Sequence, residues 1–267
     1  MKFALVLHET KWWQCLDDLR RCLGSALTNA GHEVDYASDW QGAPTNRLEI
    51  VIGAHRESVT LPSYPVVIYQ TEVPGSGSFP QSFAEKLKRA LCVWDSAPNY
   101  GTGDAIVEPG LMQVSAPIVE KDIDLLFYGS LSQRRVELLT KLQDAGLAPS
   151  CHFNLFGYER NVLIDRAKVI VDIKQRAEDP NDKTRTFFLD SRGACVLTEN
   201  DEDDRRRLRA GSIVQQCREL LANPELRRVH AASRRAELKP VDVSGCIAAL
   251  ERRLAKPANG RAAHHHV

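Results

Sequence analysis

Seven positions in the second half of the chain carry residues that could bind a phosphorylated ligand. Each follows a short apolar run or begins the segment after it, and together they are Gly129, Ser130, Arg134, Lys174, Thr184, Arg185 and Glu199. A glycine lets the backbone approach a ligand, and a helix N-terminus supplies N–H groups and a partial positive charge. The set therefore favours a diphosphate, with the Glu199 carboxylate accepting two hydrogen bonds from a ribose diol. Each residue taken alone is also typical of a polar loop, and Arg134 and Arg135 could simply be exposed.

Three side chains in the first half could take a proton from a hydroxyl group. His8, Glu72 and Asp95 follow three different apolar runs, and a partly buried carboxylate or imidazole at such a place can act as a general base. Glu72 is the first candidate, because residues 74–78 (Pro-Gly-Ser-Gly-Ser) predict a mobile loop beside it. The alternatives are a structural carboxylate that caps a turn and, for His8, a buried histidine of the core.

The elements that must position these residues alternate between strands and helices. In the first half, apolar runs predict strands over residues 3–7, 32–36, 50–53, 66–69, 91–94 and 105–107. Apolar residues spaced three and four apart predict a helix that ends near Ala30, with Gly31 as its C-terminal cap. A second helix is expected over residues 83–90.

The same alternation restarts near residue 118. Strands are predicted over residues 124–128, 153–156, 168–173 and 194–197, and helices over residues 134–145, 160–166 and 184–191. Strands that alternate with helices indicate parallel sheets covered on both faces. We therefore predict an α/β protein with two facing Rossmann-like domains, residues 1–117 and 118–241, joined by a linker at 114–117. A C-terminal helix and a disordered tail are expected over residues 242–267.

This architecture predicts where substrates would bind. Ligands of such sheets lie outside the carboxyl ends of the strands. In a pair of sheets, those ends can face each other across a cleft, and each half can hold one substrate. The pattern thus favours a two-substrate enzyme.

Composition narrows the class of protein further. The 267 residues include 35 basic and 35 acidic side chains, so the formal net charge is zero and a strongly basic coat over the whole molecule is excluded. Seven cysteines without C-x-x-C spacing indicate reduced thiols, and neither a disulfide framework nor a metal site is expected. The run at residues 3–7 is too short for a signal peptide or a membrane span, so we expect a cytoplasmic protein. The histidines at 264–266 are more typical of a frayed tail than of a metal site.

Several longer segments have a distinctive combination of strand, turn and charge. They are residues 122–130 with Arg134 and Arg135, residues 156–171 and residues 193–199, together with residues 67–72 and 93–99 upstream. These segments resemble a bacterial and phage family of GT-B-type glycosyltransferases, and the resemblance covers roughly residues 65–200. In that comparison, Arg185 falls at the arginine before the last sheet helix, and Glu199 falls at the terminal acid.

The resemblance implies two facing Rossmann-like domains with a nucleotide-sugar donor, UDP-linked, on the C-terminal one. It implies no obligatory metal and no cofactor besides this co-substrate. The chain departs from the family at two places. The family carries a glutamate shortly before the arginine, where residues 181–184 here are Asn-Asp-Lys-Thr, and a histidine-aromatic pair where Lys174 and Gln175 stand. The donor site is therefore expected to be altered.

The leading hypothesis is a glycosyltransferase whose acceptor is a hydroxyl group. Arg134, Lys174 and Arg185 would bind the diphosphate and stabilise the charge that develops on it. Glu72, or else His8 or Asp95, would take the acceptor proton if the reaction inverts the anomeric centre. A retaining reaction needs no such base, and the sequence does not decide between the two.

The acceptor is the least determined part of this hypothesis. An arginine-rich tail could contact a polyanion, and its arginines are at positions 205–207, 209, 227, 228, 234 and 235. One candidate acceptor is therefore a hydroxymethylated base in double-stranded DNA, flipped from the stack as in phage DNA modification. A cell-surface or small-molecule acceptor is the alternative. Two further readings are a catalytically silent relic that binds nucleotides and a two-domain sugar-nucleotide epimerase.

Overall fold

The computed structural model describes residues 1–9, 13–72, 74, 79–98, 100–112, 114, 117–177, 184–199 and 207–255. It divides the chain into two compact units, Met1–Glu108 with Val241–Val267, and Pro109–Pro240. The predicted mobile loop falls mostly outside the described residues, as do much of the predicted linker and the whole chain end beyond residue 255.

The first unit is built on a parallel six-stranded sheet. Its strands are β1 (Lys2–Val6), β2 (Glu33–Ala37), β3 (Leu48–Ile52), β4 (Val67–Gln70), β5 (Cys92–Asp95) and β6 (Ala105–Ile106), in the spatial order β2-β1-β3-β4-β5-β6. A 3-10 turn (Trp13–Leu16) leads into α1 (Asp17–Asn29), and α2 (Gln81–Arg89) lies between β4 and β5 in the chain. Gly31, with φ +83°, follows α1 in the left-handed region that suits a glycine cap.

The second unit contains a parallel four-stranded sheet. In chain order its elements are β7 (Ile123–Tyr128), α3 (Gln133–Asp144), β8 (Ser150–His152), α4 (Gly157–Arg166), β9 (Ala167–Asp172), α5 (Thr184–Ser191), β10 (Val196–Thr198), α6 (Ile213–Ala222) and α7 (Pro224–Glu237). The strand order is β10-β9-β7-β8. The central strands are almost fully buried, as expected for parallel strands covered on both faces.

One predicted strand is displaced in the second unit. The sequence indicated a strand at residues 153–156, but β8 covers Ser150–His152 and pairs with β7 there. Asn154 has φ +56°, in the left-handed region, and this conformation interrupts an extended chain. The apolar residues after β8 therefore belong to the loop at its carboxyl end.

The last helix, α8 (Ser244–Ala255), belongs to the first unit. Its residues Cys246, Ala249 and Leu250 are buried in the same apolar cluster as Phe3 and Trp94. The structure thus differs from the predicted three-part division, since the chain returns to its first unit after residue 240 and the first break falls after residue 108. The apolar face of α8 has its partners about 150 to 240 residues earlier, which local patterning does not reveal.

The α/β class and the two parallel sheets are confirmed. Within the described ranges, none of the helices has the length and apolar character needed to cross a membrane.

Candidate functional site

The site begins at the carboxyl edge of the second sheet. Strands β7, β9 and β10 end at Tyr128, Asp172 and Thr198. Because they are parallel neighbours, the loops that follow them lie at one edge of the sheet, where ligands of such sheets bind.

Arg134, in the first turn of α3, forms a bidentate ion pair with Glu199, the residue after β10. One of its nitrogens lies 2.7 Å from Glu199 Oε2, and the other contacts Oε1. Glu199 Oε2 also accepts a 2.7 Å hydrogen bond from the backbone N–H of Lys174. The Glu199 carboxylate therefore fastens α3 and the loop after β9 to the end of β10.

Arg135 forms hydrogen bonds to both the loop after β7 and the loop after β9. The sequence left open that this side chain is exposed, but the residue is only 6% exposed. Its guanidinium donates to the carbonyl oxygens of Ile173 at 2.8 Å and Ser130 at 2.7 Å. Two more contacts join the same loops, a 3.0 Å bond from the Ser132 hydroxyl to the Gln175 carbonyl and a contact from the Gln175 amide to the Ser130 hydroxyl. Ligand-facing loops held in this way are preorganised.

Arg185, near the start of α5, reaches back to the sheet. Its Nη1 lies 3.1 Å from Asp172 Oδ1 and 3.4 Å from the carbonyl oxygen of Tyr128, and its guanidinium lies over the Tyr128 ring, 5.2 Å from the centroid. Gly129 has φ +142°, and a Cβ at that position would lie 3.4 Å from both terminal nitrogens of Arg185. A methyl group there would just contact the guanidinium, and the left-handed backbone is what favours glycine at this position.

These contacts bring the predicted phosphate-binding residues together at one edge. The joined loops and helix starts contain Gly129, Ser130, Arg134, Lys174, Arg185 and Glu199, and Thr184 is the first residue of α5, directly before Arg185. Sequence reasoning missed Asp172 as a partner of Arg185, although its place at the end of an apolar strand was a usable signal. The edge combines three cationic side chains with the N-terminus of α3, and this arrangement can bind an anion such as a diphosphate.

Glu72 lies just after β4 in the first unit. Its backbone is held by the Gln70 side chain, which donates to the Glu72 carbonyl at 2.6 Å and accepts from the Glu72 N–H at 2.8 Å. The Glu72 carboxylate lies 3.3 Å from Nε2 of His55, which the sequence analysis had not singled out. Burial, with the positive charges of Arg56 and Lys86, lowers the pKa of His55 to about 4. Near neutral pH, Glu72 therefore faces a neutral imidazole.

His8 has the character of a half-buried histidine. Its ring packs edge-on against Trp40 with centroids 4.6 Å apart, and burial lowers its pKa although Asp39 acts in the opposite direction. Its buried Nε2 has no hydrogen-bond partner among the residues that the structure describes. The imidazole is therefore kept neutral near pH 7, the form in which a ring nitrogen can accept a proton.

The carboxylate of Asp95 holds a turn. It accepts hydrogen bonds from the Thr102 N–H at 2.9 Å, the Thr102 hydroxyl at 2.6 Å and the Gly103 N–H at 2.7 Å, and the residue is 2% exposed. These bonds fix the segment that enters β6. Asp95 thus has the surroundings of a structural carboxylate, the alternative that the sequence raised for Glu72.

Three arginines of the arginine-rich tail that the structure describes make contacts within the protein. Arg227 donates to two carbonyl oxygens at the end of α6, at 2.6 and 2.8 Å, and Arg234 forms a buried ion pair with Asp190 at 2.7 Å. Arg228 is exposed but pairs with a glutamate in the preceding turn. Arg205 and Arg206 lie outside the described residues. Two of the predicted polyanion contacts therefore have structural roles instead, because helix ends and buried carboxylates need such donors.

In the ranges that the structure describes, no group of three or more histidine, cysteine, aspartate or glutamate residues could hold a metal ion.

Comparisons with known proteins find similarity in structure. No protein-family model matches the chain, and a search of curated proteins finds no match either. Among solved structures, an α-glucosyltransferase (AGT) in complex with UDP is similar with a TM-score of 0.60 and 10% identity, over 96% of this chain and 100% of that one. An α-glucosyltransferase in complex with UDP and a 13-mer DNA containing an HMU base has a TM-score of 0.58, with the same identity and coverage. The chain therefore has the GT-B fold of these glucosyltransferases.

Proposed function

We propose that this chain is a glycosyltransferase that moves a sugar from a UDP-linked donor to a hydroxyl acceptor, with the donor bound by the second unit. The observation that carries the proposal is the carboxyl edge of the second sheet. There Arg134 and Arg185 lie near the starts of α3 and α5, and Lys174 lies in the loop after β9, which Glu199 and Arg135 fasten to α3. The fold, shared with transferases whose structures contain UDP, supports the same reading.

The donor diphosphate gains negative charge when the glycosidic bond breaks. Preorganised cations at that position stabilise the developing charge more in the transition state than in the ground state. Arg185 and Lys174 are proposed to contact the diphosphate directly, with the backbone N–H groups after Gly129. No metal ion is required in this scheme, since these groups supply the positive charge.

Glu199 is proposed to contact the ribose through one hydrogen bond. A carboxylate has about four acceptor positions, and Arg134 and the Lys174 N–H already use three of those on Glu199. One acceptor position is left, which suits one ribose hydroxyl better than the whole diol.

The acceptor hydroxyl is proposed to approach the first unit near Glu72. If the reaction inverts, Glu72 takes the acceptor proton and His55, at 3.3 Å, orients the carboxylate. If it retains, neither His8, Glu72 nor Asp95 is needed as a base. NMR of the product's anomeric proton distinguishes the two.

A hydroxymethylated DNA base is the proposed acceptor. The support is the similar α-glucosyltransferase structure that contains DNA with an HMU base. The protein is proposed to act in the cytoplasm, because its seven cysteines, all within the described ranges, form no disulfide, as is usual in a reducing compartment. A cell-surface or small-molecule acceptor remains the competing reading.

The test is to incubate the full chain with UDP-glucose and other UDP-sugars, with and without EDTA. The acceptors are duplex DNA containing 5-hydroxymethyluracil or 5-hydroxymethylcytosine, and unmodified DNA. We expect UDP release and sugar transfer to a hydroxymethylated DNA, insensitive to EDTA and weakened by added salt. Arg185→Ala should lower transfer at least tenfold, whereas Arg166→Ala, which breaks an exposed ion pair outside the arginine-rich tail, should not. UDP release without transfer to DNA would favour another acceptor.

A second candidate is a catalytically silent nucleotide-binding protein. It is favoured by residues 181–184, Asn-Asp-Lys-Thr, where the resembling family carries a glutamate. UDP binding without turnover of any UDP-sugar in the same assay would support this alternative and overturn the transferase.

A further inference from the structure

Asp172, at the carboxyl end of β9, contacts Arg185, one of the residues that the proposed function places against the donor diphosphate. We propose that Asp172 is a positioning residue that aims the Arg185 guanidinium at this diphosphate. The inference rests on the proposed function and assigns a specific task within its donor site.

The orientation of the Asp172 carboxylate is itself fixed. Asp172 and Thr198 are register partners in neighbouring parallel strands, and the Thr198 hydroxyl donates to Asp172 Oδ2 at 2.9 Å. This leaves Oδ1 facing Arg185 Nη1 at 3.1 Å. The residue is only 5% exposed, and a carboxylate buried to that degree is strongly unfavourable without charged and hydrogen-bonding partners. Arg185 is therefore held in one orientation by a group that cannot easily turn away.

Two other surfaces confine the same guanidinium. The guanidinium lies over the Tyr128 ring, 5.2 Å from its centroid, and beside Gly129 in the loop after β7, with Nη1 3.4 Å from the Tyr128 carbonyl oxygen. That loop leads into the N-terminus of α3, where an anion is favoured. Asp172, Tyr128 and Gly129 together direct Arg185 to the place where a diphosphate would lie.

Two other ion pairs in this unit can be compared with the pair of Arg185 and Asp172. In the pairs of Arg192 with Asp165 and Arg234 with Asp190, all four side chains are 9% exposed or less. In the pair of Arg185 with Asp172, the carboxylate is equally buried, but the arginine side chain is 33% exposed. Of these three pairs, that of Arg185 is therefore the one whose guanidinium keeps an open face, as a group that receives a ligand must.

The test is a double-mutant cycle on UDP affinity, measured by calorimetry with the full chain. Arg185→Ala should weaken UDP binding about 10- to 100-fold, as expected for the loss of a charge-assisted hydrogen bond. Asp172→Ala should weaken it by a similar factor. The double variant should be no weaker than Arg185→Ala alone, because Asp172 acts only through Arg185.

The control Asp190→Ala removes a buried carboxylate from the same unit, and it should lower the melting temperature while leaving UDP affinity unchanged. If Asp172→Ala does not fold, Asp172→Asn takes its place in the cycle. In turnover, Asp172→Asn should change the kinetic parameters for the donor and leave the acceptor KM unchanged.

Three results would overturn this assignment. One is UDP binding by the Asp172 variants equal to wild type, and another is an equal further loss when Asp172 is changed in the Arg185→Ala background. The third is a wild-type chain that fails to bind UDP, which overturns the proposed function together with this inference. The first two overturn the inference alone.

Discussion

The guanidinium of Arg134 contacts both carboxylate oxygens of Glu199, 65 residues further along the chain. The pair joins the first turn of α3 to the end of β10, and the Glu199 carboxylate also accepts the Lys174 N–H. Two residues that the sequence marked as separate ligand contacts are thus partners of each other. In the proposed donor site, they would therefore serve in part to hold its loops in place.

Glu199→Ala should loosen the loop after β9. The change leaves the Arg134 guanidinium and the Lys174 N–H without this acceptor, so we expect a loss of about 1–3 kcal/mol in the free energy of unfolding. Amide exchange in residues 173–177 should accelerate by more than the global destabilisation explains. The exchange rate in Glu199→Gln, which keeps one carbonyl acceptor, should lie between those of wild type and Glu199→Ala. Unchanged exchange in Glu199→Ala would contradict the fastening role.

Gly129→Ala should reduce UDP binding as well as stability. The new methyl group would lie 3.4 Å from both terminal nitrogens of Arg185, in a backbone conformation with φ +142° that strains any other residue. We expect a loss of about 1–3 kcal/mol in stability and at least tenfold weaker UDP binding by calorimetry.

Gly146→Ala is the matched control for this glycine. Gly146 has φ +78°, and no atom lies within 4 Å of the position that its Cβ would take. The substitution should therefore cost stability through backbone strain alone and leave UDP affinity unchanged. Equal effects of the two variants on affinity would show that the closeness of Arg185 to Gly129 does not matter.

Arg234→Ala should destabilise the second unit strongly. The substitution leaves the carboxylate of Asp190, itself 3% exposed, without its bidentate partner. Breaking a buried pair in this way costs about 3–5 kcal/mol. Chemical unfolding measures the loss, and Arg228→Ala, which breaks an exposed pair, should leave the melting temperature nearly unchanged. A similar loss of stability in Arg234→Ala and Arg228→Ala would argue against a structural role for Arg234.

His55 should make the folded state sensitive to acid. Its pKa is about 4 in the folded chain, below the ordinary value of 6.5, so the unfolded chain binds the proton more readily. Stability from this residue is present above pH 6.5 and is lost as the pH falls towards 4, by about 3 kcal/mol in total. Unfolding measured from pH 7 to pH 4 should therefore show a shallower decline in His55→Gln than in wild type.

His8 and His32, whose pKa values are also lowered by burial, are present in both wild type and His55→Gln. The difference between the two curves therefore isolates His55. Parallel curves for wild type and His55→Gln would contradict the buried neutral state.

The positions of most elements followed from local patterning. Runs such as Phe3–Leu7 and the strand at β9 were recognisable because parallel strands buried on both faces are almost uniformly apolar. The strand after α3 was misplaced because its residues, Ser150–His152, have little apolar character, whereas the neighbouring Phe153 does. Phe153 is 44% exposed and lies in the loop after β8, so its apolar side chain does not mark a strand.

Pairing between distant residues could not be predicted in the same way. The sequence left open whether Arg135 contacts a diphosphate or is exposed, and it did not indicate that the side chain is buried and bonded to two loops. The partners of Asp172 and His55 are Arg185 and Glu72, and only the folded chain brings each pair together. A charged residue at a strand end shows that it lies near the ligand edge, but it does not show whether it faces a ligand or another side chain.

The sequence by itself determined the alternation of strands and helices, and it placed the chemically capable residues at the carboxyl ends of the strands. Both properties depend on contacts a few residues apart and on the rule that parallel strands end at one edge. Only the tertiary structure decided that Arg134 pairs with Glu199, that Asp172 orients Arg185 and that α8 packs on the first unit. These relationships depend on the spatial order β10-β9-β7-β8 and on the burial of apolar faces against remote partners, and neither is encoded in a local stretch of residues.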